Sequence, residues 1–160
     1  MSDTLPVSDA APRFICDVHL GKLARRLRLL GFDTIYRNDL EDEEIIRIAN
    51  TDHRIILTRD REILNNKTVR SYRPNSICSD DQARQVLSVF NLRAQVKPFS
   101  RCIKCNGEII SVDKDSVIAI VPPRSGQFTE HFWRCQGCRK IYWQGSHYEK
   151  MRKWVDGVTK

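Results

Sequence analysis

The amino-acid sequence predicts an α/β sandwich with a mostly parallel sheet, followed by a smaller unit of short strands and turns. Three observations predict it. Apolar segments of strand and helix period alternate over residues 13–95. Two Cys-x-x-Cys pairs stand in the last part of the chain. Between these regions, at residues 96–100, the texture changes from alternating elements to cysteine pairs and short runs.

The elements follow in order. Residues 13–17 read as a short strand ending in an acid, Asp17. Leu20, Leu23, Ala24, Leu27 and Leu30 then recur at helical spacing and make one apolar face. Lys22, Arg25, Arg26 and Arg28 occupy the rest of that helix, and Gly31 suits its C-terminal cap. Residues 33–37 read as a second strand. The acidic residues 38–44 open a second helix with Ile45, Ile46, Ile48 and Ala49, because acids complement the dipole at a helix N-terminus. Residues 54–58 form a third apolar run of the buried parallel type, ending at Arg59–Asp60. A short helix is expected over residues 61–65, and short strands near Val69 and Ile77. Ser79–Asp80–Asp81–Gln82 has capping-box form and opens a helix through Ala83, Val86, Leu87 and Phe90. Strand and helix repeated in this order favour a parallel sheet. Residues 117–121 read as another short strand, stopped by Pro122 and Pro123.

The length of 160 residues suits one small domain plus a smaller one. The expected division is a disordered leader over residues 1–12, an α/β domain over 13–95, and a ribbon domain with a C-terminal helix over 96–160. No run approaches the roughly 20 apolar residues that cross a bilayer, so no membrane span is expected. The polar, acidic leader lacks the features of a signal peptide, which makes the cytoplasm the expected compartment. Thiols stay reduced there, so the six cysteines point to metal binding or buried thiols. Cys16 and Cys78, outside the pairs, read as buried core thiols. The net charge of +7 favours a polyanionic partner, nucleic acid or an anionic membrane. Residues 96–160 are the more basic part, with 12 Lys and Arg against 6 acids.

Cys102–Ile103–Lys104–Cys105 and Cys135–Gln136–Gly137–Cys138 are two knuckles separated by 29 residues. A two-residue gap lets both thiolates of a knuckle face one ion, and two knuckles complete the tetrahedral set that zinc prefers. Four protein ligands leave no open position, so a zinc ion here is structural. Two redox pairs or free thiols are the competing readings.

The acids form a second constellation. Asp17 and Asp60 end the first and third strands, and Asp42, Glu43 and Glu44 open the helix after the second. Sites in parallel sheets form outside the carboxyl ends of the strands. Three loops thus bring carboxylates to one rim, where Mg²⁺ or Mn²⁺ would relieve their repulsion. The same residues also suit helix caps and the helix dipole. Lys22, Arg25 and Arg26 lie within about two turns of Asp17, placed either to grip phosphates or to form a solvated face.

At these residues the chain resembles the Mut-seven C-terminal RNase family. The resemblance rests on Phe14–Ile15–Cys16–Asp17, Leu20–Gly21–Lys22–Leu23–Ala24–Arg25 and Leu29–Leu30–Gly31–Phe32–Asp33. It extends through Asn38–Asp39 and the acids after it to Ile56–Leu57–Thr58–Arg59–Asp60–Arg61. In the ribbon it includes both knuckles and Tyr142–Trp143–Gln144–Gly145–Ser146–His147–Tyr148. It implies a PIN-like three-layer sandwich with a mostly parallel sheet, then a small zinc ribbon. It implies a Mg²⁺- or Mn²⁺-dependent site that cuts RNA, single-stranded by expectation. Asp17, Asp60 and either Asp42 or Glu43 match the family's acids by position, with Asp39 and Glu44 within one turn. Val18–His19 departs from the pattern, where the family often has a second acid after the first; Asp80 or Asp81 are then candidates for a fourth carboxylate. Lys22, Arg25, Arg26 and Arg59 are candidates to hold the RNA backbone. Trp143, with Tyr142 and Tyr148, suits base stacking or packing of the ribbon, and His147 a phosphate contact. Two rivals stand beside this reading: an RNA-, ribosome- or protein-binding module of the same fold without catalysis, and a receiver-like phosphoryl-transfer protein. The second lacks the acid pair it needs after the first strand.

Overall fold

The computed structural model describes residues 10–160. The leader expected over residues 1–12 therefore lies largely outside the described residues, and residues 10–12 are irregular. The first unit runs β1 (Arg13–Cys16), α1 (Gly21–Leu29), β2 (Thr34–Ile35), α2 (Asp42–Asp52), β3 (Arg54–Leu57), α3 (Arg61–Asn65), β4 (Ser71–Tyr72) and α4 (Ser79–Val89). Its sheet has the order β2-β1-β3-β4, and every pairing is parallel.

Strand period decides the layers. Phe14, Cys16, Ile55 and Leu57 point to one face, where they meet Leu23, Leu27, Ala83 and Val86 of α1 and α4. Ile15 and Ile56 point to the other, against Ile45 and Ala49 of α2 and Ile63 of α3. Helices on both faces explain why β1 and β3 are continuous apolar runs.

The second unit contains β5 (Ile109–Val112), α5 (Lys114–Val117), α6 (Pro123–Phe128), β6 (Phe132–Cys135), β7 (Ile141–Trp143) and α7 (Ser146–Val158). β5, β6 and β7 make an antiparallel sheet in that order. Its own buried core is only Val117, Val121 and Phe132, which is thin for an independent fold. No helix among the described residues is long and apolar enough to cross a membrane.

The units are joined by buried contacts. Val155 and Val158 of α7 belong to the same core as α1 and α4, with Ile103, Met151 and Trp154 packed beside them. The C-terminal carbonyls of α1 need partners. The linker supplies them, with Lys97 N–H on Leu30 O at 2.9 Å and Phe99 N–H on Leu29 O at 3.1 Å. Gly31 permits this approach: it has φ +94°, and a Cβ there would lie 2.3 Å from Lys97 O. The buried Arg28 guanidinium donates to the carbonyls of Thr34, Ile103 and Lys104. Asn106 closes the joint, accepting from Thr34 N–H at 3.0 Å and donating to Asp33 at 2.7 Å.

Several expectations are corrected. The second strand is two residues long, not five, and the strand expected near Val69 lies at Ser71–Tyr72. No strand forms at Ile77, whose side chain is exposed. The capping box at Ser79 does not form: the cap residue is Cys78, with no side-chain cap bond. Cys78 is exposed, so it is not a core thiol, whereas Cys16 is buried. Residues 117–121 are not a strand but helical turns, in which Val117 O accepts from Ile120 and Val121 N–H. Val117 and Val121 enter the small core at helical spacing while Ile118 and Ile120 face out.

Asp33 is the electrostatic hub of the joint. It accepts from Arg54 Nη1 at 2.7 Å, and Arg101 Nη2 lies 3.8 Å away. Burial works to raise its carboxyl, but hydrogen bonds from Arg54 and Asn106 and the charges of Arg54 and Arg101 hold it below the usual range. Asp33→Ala should destabilise the fold by about 2 kcal/mol in urea titrations at neutral pH, since it removes the nearest acid of a buried guanidinium that keeps only the half-exposed Asp52 and the Phe14 carbonyl. The depressed carboxyl contributes its stability fully above the unfolded value of about 4. That contribution is lost as pH falls through the lower folded value, so the gap between variant and wild type should close in acid.

Candidate active site and metal centre

The sheet order creates one crevice. The connection through α1 leads from β1 to β2 on one side, and the connection through α2 passes back to β3 on the other. Such reversals open a crevice at the carboxyl ends of the two central strands. Asp17 follows β1 directly and Thr58–Arg59–Asp60 follows β3.

These groups are tied together. Asp17 is buried; one oxygen accepts from His19 N–H at 2.7 Å and the other from Thr58 Oγ1 at 2.7 Å. Thr58 Oγ1 in turn accepts from Asp60 N–H at 2.9 Å. Asp60 caps α3, accepting from Glu62 N–H at 2.8 Å and Ile63 N–H at 3.2 Å. Asp42 opens α2 and faces the same crevice. Its carboxyl is raised, first by burial and then by the charges of Asp60 and Asp17, with Glu62 adding to them.

The other acids stand apart from this group. Asp39 is held by Arg37 through two hydrogen bonds on the surface. Glu43 and Glu44 are exposed on the first turn of α2. Asp80 takes Arg26 Nε at 3.2 Å and Trp154 Nε1 at 2.8 Å, and Asp81 pairs with Arg84. Glu62, exposed on the first turn of α3, adds its charge to that of Asp60 and Asp17 at Asp42, and the sequence reading passed over it. The spacing Asp60–Arg61–Glu62 in one helical turn was the available signal.

Four of the basic candidates come together. Lys22, Arg25 and Arg26 of α1 and His147 of α7 line one groove of about 450 Å³, floored by Leu29, Ile103 and Met151. Arg26 is stacked on Trp154 at 4.6 Å as well as paired with Asp80. Among the described residues, Lys22 and Arg25 have no acidic partner. Arg59 is elsewhere: it donates to Ser76 O, and its Nε is buried without a partner. Trp143 packs on Phe132 at 6.3 Å within the ribbon.

The four knuckle cysteines converge, with all Sγ atoms within 4.8 Å of one another. Cys102 and Cys138 are 3.7 Å apart and Cys105 and Cys135 3.3 Å. Thiolates around one tetrahedral zinc at about 2.3 Å would stand about 3.8 Å apart, so the set fits such an ion. Gly107 N–H donates to Cys105 Sγ at 3.4 Å and Gly137 N–H to Cys135 Sγ at 3.3 Å. A side chain at Gly107 would strike Cys135 Sγ, with its Cβ at 2.7 Å. Tyr142, a stacking candidate in the sequence, has its hydroxyl 2.9 Å from Cys102 Sγ instead. Burial works to raise the Cys102 thiol, but Tyr142 and the backbone N–H groups of Cys105 and Lys104 bring it down to about 7. Among the described residues, this is the one cluster of Cys, His or acid side chains packed tightly enough to hold a metal ion as it stands.

Residues 12–155 match the model of the Mut7-C RNase domain. The chain belongs to that family. It is also 30% identical over 155 residues to the human protein described as exonuclease mut-7 homolog. That match covers 92% of this chain but 15% of the human protein, so the chain spans only a small part of its relative. No solved structure matches. Membership of an RNase domain family supports a nuclease-type function with a nucleic-acid substrate.

For this Mut7-C domain the cysteine geometry gives a direct expectation. Elemental analysis of protein purified under reducing conditions should find one zinc per chain. Cys102→Ser with Cys135→Ser should carry almost none and should melt at lower temperature.

Proposed function

We propose that this chain is a metal-dependent ribonuclease that hydrolyses phosphodiester bonds of single-stranded RNA in the crevice between β1 and β3. The observation that carries this reading is the placing of Asp17 and Asp60 at the carboxyl ends of β1 and β3, tied through Thr58, with Asp42 beside them, its carboxyl raised by burial first and then by the charges of Asp60 and Asp17. Mutual repulsion of this kind is relieved by a cation, and oxygen ligands suit Mg²⁺ or Mn²⁺. Asp17, Asp42 and Asp60 would hold it, with Glu62 nearby.

When bound, such an ion lowers the pKa of water and stabilises charge on the phosphoryl oxygens. The chain supplies position. Thr58 fixes the Asp17 carboxylate, and the α3 N-terminus fixes Asp60, so neither side chain has to be ordered on binding. Lys22 and Arg25 draw the RNA backbone toward the crevice along α1. The zinc held by the four cysteines is structural: it fixes the ribbon, which contributes His147 and the α7 side of the groove. Asp42 and Glu43 are both exposed on the first turn of α2; Asp42 serves because its carboxyl is the one beside Asp60 and Asp17.

A second reading, a non-catalytic RNA- or ribosome-binding module, has one observation in its favour. Both Asp17 oxygens and one of Asp60 already serve structural hydrogen bonds. Cleavage of labelled single-stranded RNA separates the two. Nuclease action should require Mg²⁺ or Mn²⁺ and stop with EDTA. It should fall at least about 10²-fold in Asp17→Asn and in Asp60→Asn. Glu43→Gln should cut within about twofold of wild type, while Asp42→Asn should not. Salt-sensitive binding with no cleavage under any metal would transfer the conclusion to the binding module.

A further inference from the structure

The groove along α1 does not end at Leu29. Leu29, Ile103 and Met151 also line a second, partly open cavity of about 320 Å³ between the end of α1, the linker, the ribbon sheet and α7. Its walls are aromatic: Phe99, Trp133, Tyr142, Trp143 and Tyr148 all contribute. Arg101, Arg152 and Gln144 stand among them.

Part of this lining has a structural explanation. Phe99 and Tyr148 stack at 4.6 Å and hold α7 to the linker. Tyr142 is tied to Cys102, and Arg101 to Asn106 O and Asp33. Trp133 and Arg152 are different. Trp133 sits in the middle of β6 opposite Tyr142, on the sheet face away from the ribbon core, and is half-buried. Arg152 is exposed on α7, and among the described residues its only ion pair is with Asp156 at 3.5 Å, also exposed. A large aromatic ring and a guanidinium thus flank a cavity that the fold does not fill.

We propose that this cavity is a nucleobase pocket, which takes one unpaired base of the RNA whose backbone lies in the adjoining groove. The inference rests on the ribonuclease reading for the identity of the polymer, but not for the binding itself. Three features select this occupant. Aromatic faces and arginine planes are the surfaces on which splayed-out bases stack. The volume is at the lower end of the range for small-ligand sites, enough for a base and too little for a larger cofactor. The groove that adjoins it, sharing Leu29, Ile103 and Met151, carries Lys22 and Arg25 without acidic partners among the described residues, which matches a phosphate chain rather than an apolar ligand. Lys22 to Leu29 spans about 10 Å of helix, so phosphate and base would be held at the two ends of one path. Gln144 supplies the amide that reads a base edge.

The test separates base recognition from cleavage by using the full chain with Asp17→Asn in every protein. Fluorescence anisotropy is measured with a short single-stranded oligoadenylate and with an abasic ribose-phosphate chain of equal length. The base-bearing strand should bind about tenfold more tightly than the abasic one. Trp133→Ala should remove that preference and leave abasic binding unchanged, while Trp133→Phe should keep most of it. Lys22→Ala with Arg25→Ala should weaken both strands equally and lower the salt slope by about 2. If Trp133→Ala loses its zinc and unfolds the ribbon, Arg152→Ala decides: loss of base preference sustains the pocket, and unchanged preference overturns it. Equal binding of both strands by the parent protein overturns it outright. Base preference without cleavage in the Asp17-containing chain would leave the pocket standing and remove the nuclease reading.

Discussion

β1 and β3 lie side by side with helices packed on both faces, and that constraint decides where polar chemistry can stand. Every apolar side chain along the two strands is taken up by one core or the other. Only the carboxyl ends are open, where the chain turns out of the sheet. Asp17 and Asp60 occupy these two turns, and Thr58 joins them through the Asp17 carboxylate and the Asp60 amide. The crevice therefore follows from strand burial and from the reversal of direction at β1. The basic groove follows in turn, because α1 begins five residues after β1 ends, just past the 3-10 turn Val18–Leu20.

The ribbon depends on the same sheet from the opposite side. Its own core is three buried residues, and the four cysteines converge where β6 ends. What fixes it to the first unit is the use of α1 as a template. The linker satisfies the free carbonyls at the end of that helix, Arg28 reaches out to the first knuckle, and Asn106 pairs with the edge of β2. Each of these polar contacts replaces one that water would otherwise make, and together they fix the angle at which α7 returns to the core.

Much of this arrangement was legible in the sequence. β1, β3 and α1 follow from apolar period alone, α3 falls at the expected residues, and the knuckle spacing marked the four cysteines that converge. The failures have physical reasons. Residues 117–121 are apolar throughout, and period cannot separate strand from helix in so short a run. Cys78 was assigned to a core by residue type, yet it precedes α4 on the surface. Ser79 has the right spacing for a capping box, but spacing does not fix where a helix starts. Tyr142 looked like a stacking surface because its hydroxyl partner, Cys102, is 40 residues away. Glu62 was overlooked because a carboxylate in a first helical turn usually has no further use. The order of Asp39, Asp42, Glu43 and Glu44 left their roles open, because it is the docking of α2 that sets Asp42 beside Asp60 and Asp17.

The return of α7 has a thermodynamic consequence. Val155 and Val158 are ribbon residues in sequence but core residues of the parallel sheet in space. The two units therefore share one unfolding equilibrium rather than owning separate ones. An ion bound by the cysteines stabilises every segment whose unfolding releases it, by an amount set by its concentration relative to its dissociation constant. Through α7 that stabilisation reaches α1, α4 and the strands beneath them. Oxidation of a knuckle would act on the sheet by the same route, which makes the thiol state of a distant ribbon a determinant of how firmly the acidic crevice is held.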